Sequence, residues 1–420
     1  MPPPPSTSTP PMPTLIFHSL PNNAFLGLDL LSLTTSPKLQ GIKNLPPGYH
    51  FLYSSSDASL STRHGYWFFI PAPTPATEGG QYESKIIPWR WSGENECLIP
   101  EADVSDTESA QADLGRVWER GLLDYTQPGS RKEGGKLGSE WRELTEYITD
   151  DLLDRVLGAV ASQDRAGKRG PASRRSWSIS SVSSAPQDVE KIPGLTTSEA
   201  VIEGEKQLEF LPIDLKRTWR EGAVGRERTD AVRDRSWYLG QLIELAVESG
   251  GDKRVGAAQL LGELQLCFLM ILTLANWSCL EQWKRILGVL LSCRQALVEV
   301  GDYFVAVVRL LRIQLKHCQD VEGGLFDLKE EGAGWLKGLL AQFRRNVEEL
   351  FGTANGEMLK TELKQLEQDL RDEYGWETGK DILKRGLLEL EDGERVDMDM
   401  NGADEEDETG EYAPVVVDLE

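Results

Sequence analysis

The residues able to do chemistry are present but scattered. His18, His50, His64 and His317 lie far apart, and none stands at metal-ligand spacing from a cysteine or a carboxylate. The five cysteines, Cys97, Cys267, Cys279, Cys293 and Cys318, include no C-x-x-C pair. Gly134-Gly135-Lys136-Leu137 offers glycines and a lysine, but without the upstream spacing and following hydroxyl of a P-loop. Neither a G-x-S-x-G elbow nor an H-E-x-x-H motif is present. Carboxylates abound, yet nothing in the sequence sets two of them at acid–base distance. Trp89-Arg90-Trp91 could stack a ligand, but read as a strand it turns two rings inward and a polar residue outward. These patterns point away from an enzyme and imply no cofactor and no metal.

Two motifs remain. In Arg174-Arg175-Ser176-Trp177-Ser178-Ile179, an arginine precedes Ser178 by three positions in a serine-rich stretch. That pattern suits a basophilic kinase, so Ser176 and Ser178 are candidate phosphorylation residues. The second is Val415, Val416, Val417, Asp418 and Leu419, a β-prone run after an acidic block. Such a run can add as a strand to another protein's open sheet edge, or fold back onto the strands of its own first domain.

The elements that must position these motifs are organised around Leu260 to Leu297. From Leu264 to Ala275 the chain is apolar almost all round, interrupted by Gln265 and Thr273. That is too short to span a bilayer, which takes about 20 residues, and it fits a helix in the middle of a helical domain. Asn276 to Ser278 reads as a turn. Trp283, Ile286, Leu287, Leu290 and Leu291 then recur at helical spacing, completing a helical hairpin.

The totals bound the rest. A chain of 420 residues holds two or three domains. Its net charge of −23 argues against non-specific nucleic-acid binding, which neutralises phosphates with Lys and Arg. The N-terminus lacks the basic start and apolar run of a secretory signal. With an odd cysteine count, this fits a reducing intracellular compartment.

Residues 1–14 are Pro, Ser and Thr and should be disordered. Residues 15–160 form a β-rich N-terminal domain with flanking helices. Its strands are expected over Leu15–His18, Phe25–Leu33, Tyr49–Ser54, Tyr66–Ile70 and Ile86–Trp91, with Pro88 placing its strand at an edge or bulge. Helices are expected over Ala112–Leu123 and Trp141–Val160, separated by a Gly-rich insert from Gly129 to Gly138. Residues 161–205 read as a Ser-rich linker. Residues 206–390 form a helical C-terminal domain, with apolar stripes through Trp237–Leu245, Phe304–Leu315, Trp335–Leu350 and Leu359–Leu370. Residues 391–420 form an acidic tail that stays solvated until its terminal strand segment. The fold class is therefore α+β.

Three blocks read together resemble the Aar-two family of cistron-splicing factors. LPNNAFLGLDL with GIKNLPPGYHFLYSSS is similar to its N-terminal signature. LLGELQLCFLMILTLANWSCLEQWKRILGVLLSC is similar to its helical core, and YAPVVVDLE to its C-terminal strand. The proline-rich start, the Gly-rich insert, the serine stretch and the acidic block depart from the pattern.

The resemblance implies a non-enzymatic assembly chaperone of the U-five small nuclear ribonucleoprotein. It would bind the ribonuclease-H-like and Jab/MPN-like domains of the spliceosomal scaffold protein Prp-eight. It would keep the helicase from binding early, working in the cytoplasm and leaving after nuclear import with phosphorylation implicated. It also implies a VHS-like helical domain and a tail that adds a strand between the two scaffold domains. A monomer without direct nucleic-acid or membrane contact is expected. VHS-like domains also serve sorting complexes, so a cytosolic trafficking adaptor is the alternative.

Overall fold

The computed structural model describes residues 13–57, 61–72, 86–101, 121–126, 139–158, 175–189, 207–247, 250–318, 334–352, 356–376, 385–389 and 395–399. The first part is built of strands β1 (Thr14–His18), β2 (Phe25–Leu28), β3 (Leu31–Thr34), β4 (Gly41–Lys43), β5 (Gly48–Ser55), β6 (His64–Ile70), β7 (Ile86–Ser92), β8 (Cys97–Pro100), β9 (Leu122–Asp124) and β10 (Ser176–Ser180). They form two five-stranded sheets, ordered β8-β7-β1-β4-β9 and β10-β6-β5-β2-β3.

The central strands of the second sheet bury side chains on both faces, and the two-residue period of a strand sorts them. Phe25, Phe51, Tyr53, Trp67, Trp177 and Ile179 face the helical part. Leu26, Leu28, Leu52, Phe68 and Ile70 face the first sheet. Two glycines make room for rings between them: a Cβ on Gly27 would fall 2.0 Å from the Tyr53 ring, and one on Gly65 2.2 Å from the Phe51 ring.

Several strands depart from the sequence expectation. Phe25–Leu33 is a hairpin, turned at Asp29 with φ of 57°. Pro88 is in no edge strand: β7 pairs with β1 on one side and β8 on the other. The proline is tolerated because the β7–β8 ladder starts at Trp89; beyond it, the Glu101 N–H donates to the Pro88 carbonyl at 3.1 Å. Leu122 and Leu123, expected in a helix, belong to β9, which pairs in parallel with β4. The apolar residues that suggested that helix, Leu114, Val117 and Trp118, lie outside the described residues, as does the insert from Gly129 to Gly138.

The expected helix over Trp141–Val160 is two helices, α1 (Ser139–Leu144) and α2 (Asp150–Leu157). Thr149 breaks it by capping α2, its hydroxyl accepting from the Leu152 N–H at 3.2 Å. The expected linker 161–205 contains β10 and a short helix, α3 (Pro186–Val189). Its serines hid a strand whose inward positions are Trp177 and Ile179, both buried.

The helical part comprises α4 (Arg226–Arg233), α5 (Ser236–Leu245), α6 (Lys253–Leu274), α7 (Trp277–Leu290), α8 (Gln295–Glu299), α9 (Gly301–Lys316), α10 (Gly334–Phe351) and α11 (Glu357–Tyr374). Helix α6 is its axis. It spans 22 residues and is long and apolar enough to cross a membrane by length and composition alone, but most of it is buried inside the protein. The turn into α7 is tighter than expected. Ala275 takes a left-handed φ of 55°, and the Asn276 side chain caps α7 by accepting from the Cys279 N–H at 2.9 Å. Trp283 on α7 packs against Phe268 and Trp335, and its indole N–H donates to Gln314 at 2.9 Å.

After α11, strands β11 (Arg385–Glu389) and β12 (Arg395–Asp399) form an antiparallel ribbon. The sequence reading assigned no strand here. The backbone register sets Arg385 opposite Asp399 and Glu389 opposite Arg395.

Candidate functional site: the seam and its rim

One hydrophobic core runs from the second sheet through α1 and α2 into α6, α7 and α9 to α11, so the β-rich and helical parts share an interior. Inside that core, several polar residues of α6 and α7 reach back to earlier segments of the chain. Glu263, fully buried on α6, accepts from Arg155 Nη1 on α2 at 2.6 Å, from the Leu211 N–H at 3.1 Å and from Gln282 Nε2 at 2.8 Å. Gln265 is equally buried: its oxygen accepts from the Tyr147 N–H at 2.8 Å and its amide donates to the Glu143 carbonyl at 2.8 Å. Gln282 Nε2 also donates to the Leu211 carbonyl at 2.9 Å, holding both backbone groups of that residue together with Glu263. Arg285 on α7 pairs with Asp188 on α3.

This explains two stretches of sequence. In Leu261-Gly262-Glu263-Leu264-Gln265, the glycine permits close approach: a Cβ there would fall 2.4 Å from the Tyr147 carbonyl oxygen. In Gln282-Trp283-Lys284-Arg285, Gln282, Trp283 and Arg285 each make a buried polar bond. Sequence reasoning saw Gln265 as an interruption of an apolar run and Glu263 as a polar residue at its start, and gave neither a partner. A carboxylate in mid-helix among leucines was the available signal, because a buried charge requires a partner.

A second buried polar group lies between the sheets. Asp29 accepts from the Phe51 N–H at 2.8 Å, from His50 Nδ1 at 2.7 Å and from the Tyr125 hydroxyl at 2.6 Å. His50 Nε2 donates to the Pro46 carbonyl at 2.8 Å. Both ring nitrogens face acceptors, an arrangement that favours the protonated imidazole. Burial pushes its pKa down, but the Asp29 charge and these hydrogen bonds outweigh that, and the net shift is upward. Asp29 and His50 are too deeply enclosed to meet a substrate. Among the described residues, no group of three or more His, Cys, Asp or Glu could hold a metal ion.

What a partner can reach is the rim of the seam. The Asn276 amide donates to the carbonyls of Ser180 and Ser183 at 3.0 and 2.8 Å, tying the end of β10 to the turn into α7. Val182 and Trp277, at that junction, are 45% and 57% exposed. An exposed tryptophan on a rigid turn is the side-chain type that anchors protein interfaces. Ser176 and Ser178 lie in β10, half-buried and opposite Phe68 and Tyr66. Neighbouring Arg175 lies 3.6 Å from the Asp154 carboxylate. Val415, Val416, Val417, Asp418 and Leu419 lie outside the described residues.

Fold and seam together define an α+β protein: a β-rich part and a helical part that share one core and are joined across it by buried polar bonds. Residues 11–158 match the AAR2 N-terminal domain and residues 210–379 the AAR2 C-terminal repeat region. The chain belongs to the AAR2 family. It is 24% identical over 380 residues to the protein AAR2 homolog of Caenorhabditis elegans, covering 86% of this chain and 94% of that one. It is 23% identical over 324 residues to the protein AAR2 homolog of Homo sapiens, covering 72% and 75%.

Proposed function

We propose that this chain is a non-enzymatic assembly chaperone of the U-five small nuclear ribonucleoprotein. Membership of the AAR2 family supports a splicing-related role in general. The finer reading rests on the resemblance set out above. In it, the chain binds the ribonuclease-H-like and Jab/MPN-like domains of Prp-eight in the cytoplasm, keeps the helicase away, and is released after nuclear import. The VHS-like character of the helical part belongs to the same reading. So do a monomeric state and the absence of direct contact with nucleic acid or membrane.

The observation that carries the proposal is that both AAR2 regions match, in order, a chain whose two parts share one core. A holdase for a two-domain client gains from rigidity, because a preorganised surface loses less entropy on binding. Val415, Val416, Val417, Asp418 and Leu419 supply the added strand, with backbone bonds giving affinity and alternate side chains specificity. Phosphate on Ser176 or Ser178 would act at the seam's rim, where added charge on a half-buried strand favours undocking.

Truncation after Glu411 tests the tail. Binding of the scaffold's Jab/MPN-like domain in a pull-down is expected to fall at least tenfold. Unchanged binding would remove the tail from the mechanism. Recovery of vesicle-coat subunits instead of the splicing scaffold from cell extract would favour the adaptor reading.

A further inference from the structure

Residues 216 to 237 carry a concentration of positive charge unusual in so acidic a chain. Arg217, Arg220, Arg226, Arg228 and Arg233 are all exposed, and α4 buries no residue. One turn and the short helix that follows it carry these arginines. The Thr218 hydroxyl donates to the Ala231 carbonyl at 3.2 Å, tying the preceding turn to the end of α4. Arg228 lies 5.3 Å from the centre of the Trp219 ring, and Arg220 5.5 Å from that of Trp237.

The nearby acids do not neutralise this surface. Asp234 turns inward and accepts from the backbone N–H groups of Arg294, Gln295 and Ser236 at 2.9, 3.0 and 3.0 Å. Asp230 is matched by Arg226 at 3.8 Å. Among the described residues, Arg217, Arg220, Arg228 and Arg233 form no ion pair with a carboxylate.

The geometry points to this surface as the docking site for an acidic segment of the same chain, Asp404 to Glu411. That segment carries Asp404, Glu405, Glu406, Asp407, Glu408 and Glu411 with no basic residue among them. Residues 377–403 connect it to the end of the helical part. Because β11 and β12 fold back on each other, only residues 377–384 and 400–403 can extend, and at ~3.3 Å per residue they span about 40 Å, somewhat more than the length of α6. Tethering sets an effective concentration in the millimolar range, which favours this occupant over a free polyanion. RNA fits less well, because Glu221, Glu227 and Asp230 interleave the arginines and the whole chain is strongly acidic. Docking would bring Val415, four residues beyond Glu411, to the edge of the arginine surface. The surface would then govern how freely the valine segment is offered.

The test uses full-length chains and a fluorescein-labelled peptide of residues 402–412, followed by anisotropy at low ionic strength. One variant neutralises the segment: Asp404→Asn, Glu405→Gln, Glu406→Gln, Asp407→Asn, Glu408→Gln and Glu411→Gln. A second adds Arg217→Glu, Arg220→Glu and Arg233→Glu, all exposed positions. The neutralised chain is expected to bind the peptide at least tenfold more tightly than the natural chain, whose own segment competes. The arginine-reversed chain should lose that binding, and added salt should weaken it. Equal binding by natural and neutralised chains, or binding retained after arginine reversal, overturns the proposal. So does a single-stranded oligoribonucleotide that binds the natural chain as tightly as the neutralised one, which would make RNA the occupant. No scaffold protein enters the assay, so its outcome is independent of the chaperone reading.

Discussion

Replacing Glu263 with alanine tests whether the buried seam holds the two parts together. The carboxylate is fully buried and serves three donors on separate segments: Arg155, Leu211 and Gln282. Removing it leaves the Arg155 guanidinium uncompensated at the base of α2, where its side chain is only 23% exposed. Arg155 Nε and Nη2 are themselves buried without hydrogen-bond partners, so Glu263 is what offsets the desolvation of that cation. Breaking a buried pair from one side costs about 3 to 5 kcal/mol. Set against a total stability of about 5 to 15 kcal/mol, that is a large share.

The companion variant removes both charges, Glu263→Met with Arg155→Met. Replacing a buried pair by apolar residues of similar volume is often neutral or stabilising by about 1 to 4 kcal/mol. The double variant should therefore be more stable than Glu263→Ala alone. Urea unfolding followed by tryptophan fluorescence and by far-ultraviolet circular dichroism measures both. The two signals should coincide, because Trp67, Trp141, Trp177 and Trp283 share one core with the helices. A loss below about 1 kcal/mol for Glu263→Ala would refute the reasoning, since Arg155 would then have found solvent on its own.

Gly262→Ala should cost about 1 to 3 kcal/mol in the same assay, because the new methyl meets the Tyr147 backbone rather than a yielding side chain. His50 contributes a pH dependence: its folded pKa is raised, so its stabilisation is complete below the ordinary value of ~6.5 and is lost as pH climbs through the folded value. The stability gap between the natural chain and His50→Gln should accordingly shrink from pH 6 to pH 9 in paired unfolding curves, and a widening gap would contradict the assignment. All five cysteines are buried, and burial pushes the Cys97 thiol up to about 11. Ellman's reagent at neutral pH should find next to no fast-reacting thiol in the native chain and all five in guanidinium. Ser178→Glu introduces charge into β10 beside Tyr66, and scaffold binding measured by calorimetry should weaken several-fold; an unchanged dissociation constant would remove this residue from release.

The helical part was legible in the sequence because each stripe, from Phe304 to Leu315 for instance, obeys a period that needs no partner to recognise. Strands with aromatic residues, such as Tyr66–Ile70, were legible for the same local reason. What was lost depends on distant contacts. Ser176–Ser180 reads as linker until Trp67 and Trp177 are known to pair at a separation of 110 positions, since serine every second residue resembles disorder. Leu122–Asp124 is a strand only because β4 lies beside it. The seam was invisible because Glu263 and Arg155 are separated by 108 positions, and composition does not pair charges. Asp29 was hidden likewise, an ordinary turn residue until His50 and Tyr125 close on it.

The shared core bears on how the chain is made. On the ribosome, α1 and α2 emerge before β10 and cover the aromatic face of the second sheet, Trp67 against Trp141 and Trp177 against Asp154, but α6 and α7, which pack on the far side of α1 and α2, follow up to about 110 residues later. At roughly 5 to 20 residues per second, Leu152, Arg155 and the rest of the face that meets α6 wait about 5 to 20 s for that partner. A nascent chain paused before Lys253 should recruit cellular holdases, and one paused well beyond Leu290 should shed them.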